Sequence, residues 1–277
     1  VEPVACCRSG TDRTMTVLDG LRRHPLPAAL AAAAILAQIL YPLVEGAARD
    51  RLTVVTVLVF SAASLSHAVV ARGWRTALRM AAVFVGGGLL VEVVGVATGL
   101  PFGEYAYSDR LGWQIAEVPA VIPLAWLMLG YPAMVVARRV TNRPGPGILL
   151  GGVALASWDL FLDPQMVAEG YWTWFGDGPH LIDGVPLTNY AAWLAISLVM
   201  AALAWSATDS WDERDDAVPL GLYLWTWAGS TLAHAAFFGL PVSALYGGVG
   251  MGAVVAVLWW SQRDHTEVAA EMERVGS

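Results

Sequence analysis

Three carboxylic acids occupy places in this chain where burial in lipid would make a charge costly. Glu92 sits in the apolar run Gly86-Gly-Gly-Leu-Leu-Val-Glu-Val-Val-Gly-Val96, with no basic residue in its own segment. Asp159 and Asp163 belong to Ser157-Trp-Asp-Leu-Phe-Leu-Asp-Pro164, and their four-residue separation puts both on one face of a helix. An ionisable group inside a bilayer is a functional candidate by default, because desolvation penalises it unless it has a task or a partner. A fourth acid, Glu104, lies in the loop Thr98-Gly-Leu-Pro-Phe-Gly-Glu-Tyr-Ala-Tyr107. Candidate substrate-binding side chains accompany them: Tyr105, Tyr107, Trp158, Trp172, Trp174, Asn189, Trp193 and His234. A carboxyl kept protonated by desolvation can donate to a C=C bond, and aromatic faces stabilise the carbocation that results. Capture by water would yield a tertiary alcohol; capture by an internal alkene would yield a ring.

Each residue also has a plainer reading. Trp172, Trp174, Tyr105 and Tyr107 fit an aromatic belt at the membrane surface, Glu104 a solvated loop charge, Asp163 before Pro164 a helix terminus, and His234 a hydrogen-bonded packing residue. Glu92 is the hardest to explain in this way. Other chemistries lack their residues. None of the five histidines, His24, His67, His180, His234 and His265, lies three to five positions from another, so the clusters of a membrane di-iron oxygenase are missing. Asp212, Asp215 and Asp216 form an acidic cluster that, with Asp159 and Asp163, could hold magnesium diphosphate. The two groups fall on opposite membrane faces in the topology below, and a solvated loop is the better reading of the first. No metal or organic cofactor signature remains.

The elements that must position these residues follow from hydropathy. The 277 residues are 57% hydrophobic and 14% charged, with a mean hydropathy of +0.56, whereas a soluble domain has about 45–50% apolar and about 25% charged residues. All 16 basic residues are arginine, and a retinal Schiff base, which needs lysine, is thereby excluded. A net charge of −7 argues against nucleic acid, whose backbone demands clustered positive charge. Cys6 and Cys7, the only cysteines, give neither a disulfide framework nor a zinc site.

Apolar runs near 26–44, 52–71, 77–98, 118–137, 147–163, 188–207, 218–239 and 242–260 predict an all-α, polytopic membrane bundle of about eight transmembrane helices. Span 5 is short, and spans 7 and 8 are separated only by Gly239, Leu240 and Pro241, so seven spans are an alternative. The domain reading is an N-terminal tail over 1–25, one catalytic membrane domain over 26–260 and a cytoplasmic tail over 261–277. Met15 is a candidate start of translation. Thirteen arginines (Arg8, Arg13, Arg22, Arg23, Arg72, Arg75, Arg79, Arg138, Arg139, Arg143, Arg214, Arg263 and Arg274) fall on one side, against Arg49, Arg51 and Arg110 on the other. That bias places the N-terminus in the cytoplasm, and it gathers the carboxyls, the aromatic loops and Trp113 into one chamber in the outer half of the membrane. Gly86, Gly87, Gly88, Gly151, Gly152, Gly247, Gly248, Gly250 and Gly252 are read as sites of close helix approach.

An ordered set of these motifs resembles a known family. Glu92 with Gly95, the loop 98–107, Asp159 through Asp163-Pro164, Trp172-Thr-Trp174, and Gly184-Val-Pro186 with Asn189 and Trp193 are similar to the carotenoid biosynthesis membrane proteins of the CruF type. These are carotenoid 1,2-hydratases, including bisanhydrobacterioruberin hydratases of halophilic archaea. The resemblance covers roughly the central two fifths of the chain. It implies cofactor-free addition of water across the terminal C1=C2 bond of an acyclic carotenoid, a lipophilic substrate met in the bilayer of the cell membrane. The absence of lysine and the acidic stretches 209–216 and 264–273 suit a salt-adapted organism and a C50 substrate of the bisanhydrobacterioruberin type, although GC-rich coding also replaces Lys with Arg. Lycopene or gamma-carotene end groups fit the motifs equally. From chemistry, Asp159 or Glu92 would protonate C2, the other carboxyl or Asp163 would orient and deprotonate water, and Trp158, Trp172, Trp174 and Tyr105 would line the cation pocket. Rival readings are a carotenoid or terpene cyclase with the same acid, a magnesium-dependent prenyltransferase, and a proton-coupled transporter using Glu92 and Asp159 as relay groups.

Overall fold

The structure is a computed structural model that describes residues 23–175, 178–182, 184–208 and 216–275, with side chains as far as residue 263. Cys6, Cys7, Met15, Arg8, Arg13, Arg22, Arg214, Asp212 and Asp215 lie outside the described residues.

Each apolar run folds into a helical rod. Pro25–Leu40 forms α1, opened by a proline whose fixed φ suits a first helical turn, and it runs into a 3-10 turn over Tyr41–Leu43. Gly46–Arg72 is α2. The third rod combines α3 (Trp74–Ala81), a π-helical turn (Ala82–Gly86) and α4 (Gly87–Thr98). Then come α5 (Ile122–Val140), α6 (Pro144–Ala168), α7 (Leu187–Ser206), α8 (Ala217–Ala236) and α9 (Pro241–Val275). The protein is an all-α polytopic membrane bundle. Among the described residues six rods are long and apolar enough to cross a bilayer: 25–43, 46–72, 74–98, 144–168, 187–206 and 241–263.

Helix α5 is the core. Every residue from Ala125 to Arg138 is buried, as expected of a helix that is apolar on all sides and packed by its neighbours. Its start at Ile122 is later than hydropathy predicts, because Val118 and Pro119 pair with Gln114 and Ile115 in a short hairpin. Helix α6 is longer than predicted. It continues through Pro164 to Ala168, so Asp163 lies within the helix rather than at its end. Helix α9 likewise runs past 260 to Val275, since no Gly or Pro interrupts residues 253–275.

Small residues allow the rods to approach. A Cβ on Gly152 would come within 2.9 Å of the Leu198 Cα, and one on Gly247 within 2.7 Å of the Phe161 ring, as predicted for close packing. Gly86, in the π-turn, faces open space instead. At the end of the bundle that carries Arg72, this side chain pairs with Asp216, both almost fully buried. Asp216 is therefore not the solvated loop acid that its cluster suggests, because the arginine that ends α2 takes it as counter-charge. Thr53 lies at the other end of α2, about 28 Å from Arg72 along the helix axis.

Candidate active site

The elements above converge on one cavity of about 460 Å³ near the N-terminal end of α2. Its wall includes Glu92, Asp163, Asn189, Tyr105, Tyr107, Trp126, Trp158, Trp172, Trp174 and Trp193. Most of the side chains singled out in the sequence thus meet in space.

Glu92 owes its environment to two glycines on its own face of α4. Gly88 is one turn before it, where a Cβ would lie 2.7 Å from Trp126 Cδ1; Gly95 is one turn after, where a Cβ would lie 2.6 Å from the Tyr105 hydroxyl. Any side chain at either position would push a donor away. With both absent, Tyr105 and Tyr107 donate hydrogen bonds to Oε2 at 2.7 and 2.8 Å, and Trp126 Nε1 donates to Oε1 at 3.0 Å. All three partners act as donors, so the carboxyl is held as a pure acceptor, the arrangement that best satisfies an ionised group. Burial, and after it the adjacent Glu92 charge, pushes both tyrosine hydroxyls above their ordinary value. They stay protonated and keep donating.

The two tyrosines reach Glu92 because the polypeptide after α4 turns back. Gly99 caps the helix in the left-handed conformation at φ +73, and residues 105–107 form strand β1, which pairs antiparallel with a second ribbon strand at 172–174. Tyr105 opposes Trp174 and Tyr107 opposes Trp172. Since side chains alternate along a strand, Tyr-Ala-Tyr and Trp-Thr-Trp each present two rings to the cavity. Tyr105 stacks on Trp174 at 5.6 Å, and Tyr107 meets Trp172 edge to face at 5.4 Å. These rings close the site and are not a lipid-facing belt.

The aspartates form a second cluster. Asp159 is fully buried and Asp163 nearly so. The Asn189 amide donates to Oδ2 of both, at 3.0 Å to Asp159 and more closely to Asp163. Asp159 Oδ1 is buried with no hydrogen-bond partner. Asp163 lies on the cavity wall, and Asp159, one turn earlier on the same helix, does not. Between the two carboxyl clusters runs an indole stack: Trp126 lies parallel to Trp193 at 4.0 Å, and Trp158 meets Trp193 edge-on at 6.1 Å.

Three expected members stand elsewhere. Glu104 is exposed on its loop and faces away from the cavity, since the alternation that points Tyr105 inward points its neighbour out. Trp113 is 75% exposed. His234 is fully buried behind the wall, its Nδ1 bonded to Ser243 at 2.9 Å and its Nε2 facing Gln165 at 3.3 Å, where it ties α8 to α9 and α6. Asp216 and the Asp159–Asp163 pair occupy opposite ends of the bundle, too far apart to share a metal diphosphate. Sequence reasoning missed Trp126. Its only signal was an indole well inside an apolar run rather than at its edge.

Residues 52–251 match the family described as "Carotenoid biosynthesis protein". The chain belongs to that family. Over 120 residues it is 36% identical to a bisanhydrobacterioruberin hydratase of Haloarcula japonica, a match that covers 41% of this chain and 39% of that protein. The chain thus spans about two fifths of the length of the curated relative it matches. No solved structure matches it.

Proposed function

We propose that this protein is a carotenoid hydratase of the cell membrane, with its N-terminus in the cytoplasm, which adds water without a cofactor to the terminal C1=C2 bond of an acyclic carotenoid. The observation that carries the reading is a largely apolar cavity with aromatic faces and carboxyl groups in two contrasting settings. Two buried carboxyls that share one amide donor cannot both carry charge at little cost, so the Asp159–Asp163 pair retains a proton. Asp163, on the wall, delivers it to C2, and Asp159, one turn earlier, supports Asp163. The cation left on C1 lies among Trp172, Trp174, Trp158 and Tyr105, whose ring faces attract positive charge, and opposite the Glu92 carboxylate. Water attacks C1 through oxygen. Glu92 accepts the proton that the water loses, and its return to the aspartates leaves a net gain of one H2O.

The name of the relative favours a C50 substrate of the bisanhydrobacterioruberin type, with C40 lycopene or gamma-carotene ends as the alternative. The test is mass-resolved chromatography of carotenoids from cells that make acyclic C40 and C50 substrates, with and without the protein. A gain in mass of one or two waters, with oxygen drawn from labelled water, is expected. An unchanged mass with a new retention time would replace the hydratase by a cyclase. Uptake of a solute without any chemical change would favour a transporter.

A further inference from the structure

The cavity does not end at the carboxyls. From Glu92 and Asp163 it continues between two helices far apart in sequence, to Gln38, Ile39 and Leu43 at the end of α1 and to Gly229, Leu232 and Phe237 along α8. Leu43, Leu232 and Phe237 are 70%, 61% and 60% exposed. Leu232 lies within its helix, and Leu43 and Phe237 lie at the ends of theirs, so the cavity reaches the apolar outer surface of the bundle between α1 and α8. The gap exists because α8 turns small side chains toward α1: Thr226, Gly229, Ser230 and Ala233 all line it. Two contacts frame the gap. Trp225 Nε1 donates to Gln38 Oε1 at 2.8 Å, and Tyr41 meets Phe238 edge to face at 5.7 Å.

We propose that the α1–α8 cleft is a lateral entrance for one end of a long isoprenoid hydrocarbon, the rest of which remains in the bilayer. The inference rests on the hydratase reading for the identity of the end group. Volume supports it: pockets of about 300–1,000 Å³ enclose a drug-sized ligand, and 460 Å³ holds an end group but not a forty- or fifty-carbon chain. The polarity of the passage agrees, since its carboxyls are confined to the inner end and its mouth is mainly aliphatic and aromatic, with the Gln38 amide oxygen taken up by Trp225. A substrate with two reactive ends must therefore leave and turn round between reactions, and the singly hydrated product is released as a free intermediate.

The experiment uses the full chain in phosphatidylcholine vesicles with an acyclic isoprenoid hydrocarbon that carries a photoreactive group a few isoprene units from its reacting alkene, where the hydrocarbon would cross the cleft. Cross-links within residues 38–43 and 225–238, competed away by unlabelled carotenoid, are expected. Labelling spread over all outer helices, or the same pattern from a photoreactive phospholipid, would mean ordinary lipid contact and overturn the entrance. In parallel, Ala233→Trp narrows the passage. The ratio of turnover on a long carotenoid to turnover on a short hydrocarbon with the same end is expected to fall about tenfold; an equal fall on both, or none, would refute it. Cleft labelling without water addition by the unaltered protein would sink the hydratase reading and leave the entrance standing. Water addition with labelling elsewhere would do the reverse.

Discussion

The two carboxyl clusters of the cavity are alike in burial and opposite in hydrogen bonding. Glu92 receives three donors, two phenols and an indole. Asp159 and Asp163 share one amide, and one of their oxygens has no partner. On the proposed mechanism these settings serve different tasks, with Glu92 taking up negative charge and the aspartate pair holding a proton. Hydrogen-bond supply makes the difference, because burial alone would treat the two alike.

The comparison predicts its own breaking points. Replacing the acid is the most damaging change: Asp163→Asn, and Asp159→Asn beside it, are expected to lower turnover about 10²–10⁴-fold, the usual share of a general acid. Turnover in isolated membranes checks this, and normal rates in both variants together with Glu92→Gln would remove the carboxyls from the mechanism. Glu92→Gln alone, which removes the proposed acceptor of the water proton, should cost less, about 10²-fold, the low end of the range for a general base, with substrate binding largely kept. Equal losses at Glu92 and Asp163 in single-turnover measurements would erase the proposed division of labour.

Smaller effects sharpen the picture. Gly95→Ala places a methyl group 2.6 Å from the Tyr105 hydroxyl and is expected to destabilise the protein by about 1–3 kcal/mol, seen as a lower thermal midpoint, while it displaces one Glu92 donor. Trp174→Phe keeps a ring facing the cation but weakens it, and a loss of about 0.5–1 kcal/mol of transition-state stabilisation should slow turnover several-fold without abolishing it. The mildest prediction concerns protonation. Tyr105 and Tyr107 are raised above the ordinary tyrosine range by burial and by Glu92, so they remain neutral where exposed tyrosines ionise. Tyrosinate absorption developing near pH ~10 should be the same with and without Tyr105→Phe and Tyr107→Phe.

Much of the site was legible before folding because its cost is local. A carboxyl in an apolar run, such as Glu92 or Asp159, stands out against the hydropathy of its own segment. What escaped notice depends on partners distant in sequence. Trp126 matters only because Gly88 lets its indole reach Glu92. Glu104 looked like a member of the site by adjacency, yet strand alternation turns it outward. His234 has the chemistry of a catalyst and the surroundings of a tie between helices.

Hydropathy, arginine placement and the spacing of Asp159 and Asp163 are properties of short stretches, so chain chemistry alone suffices to specify a helical membrane bundle and to name its costly acids. Which of those acids meets donors, which lies on the cavity wall and where the cavity opens arise from contacts such as Gly95 with Tyr105, Asn189 with both aspartates, and α1 with α8. Those contacts join residues from ten to nearly two hundred positions apart, and only the packed bundle brings them together.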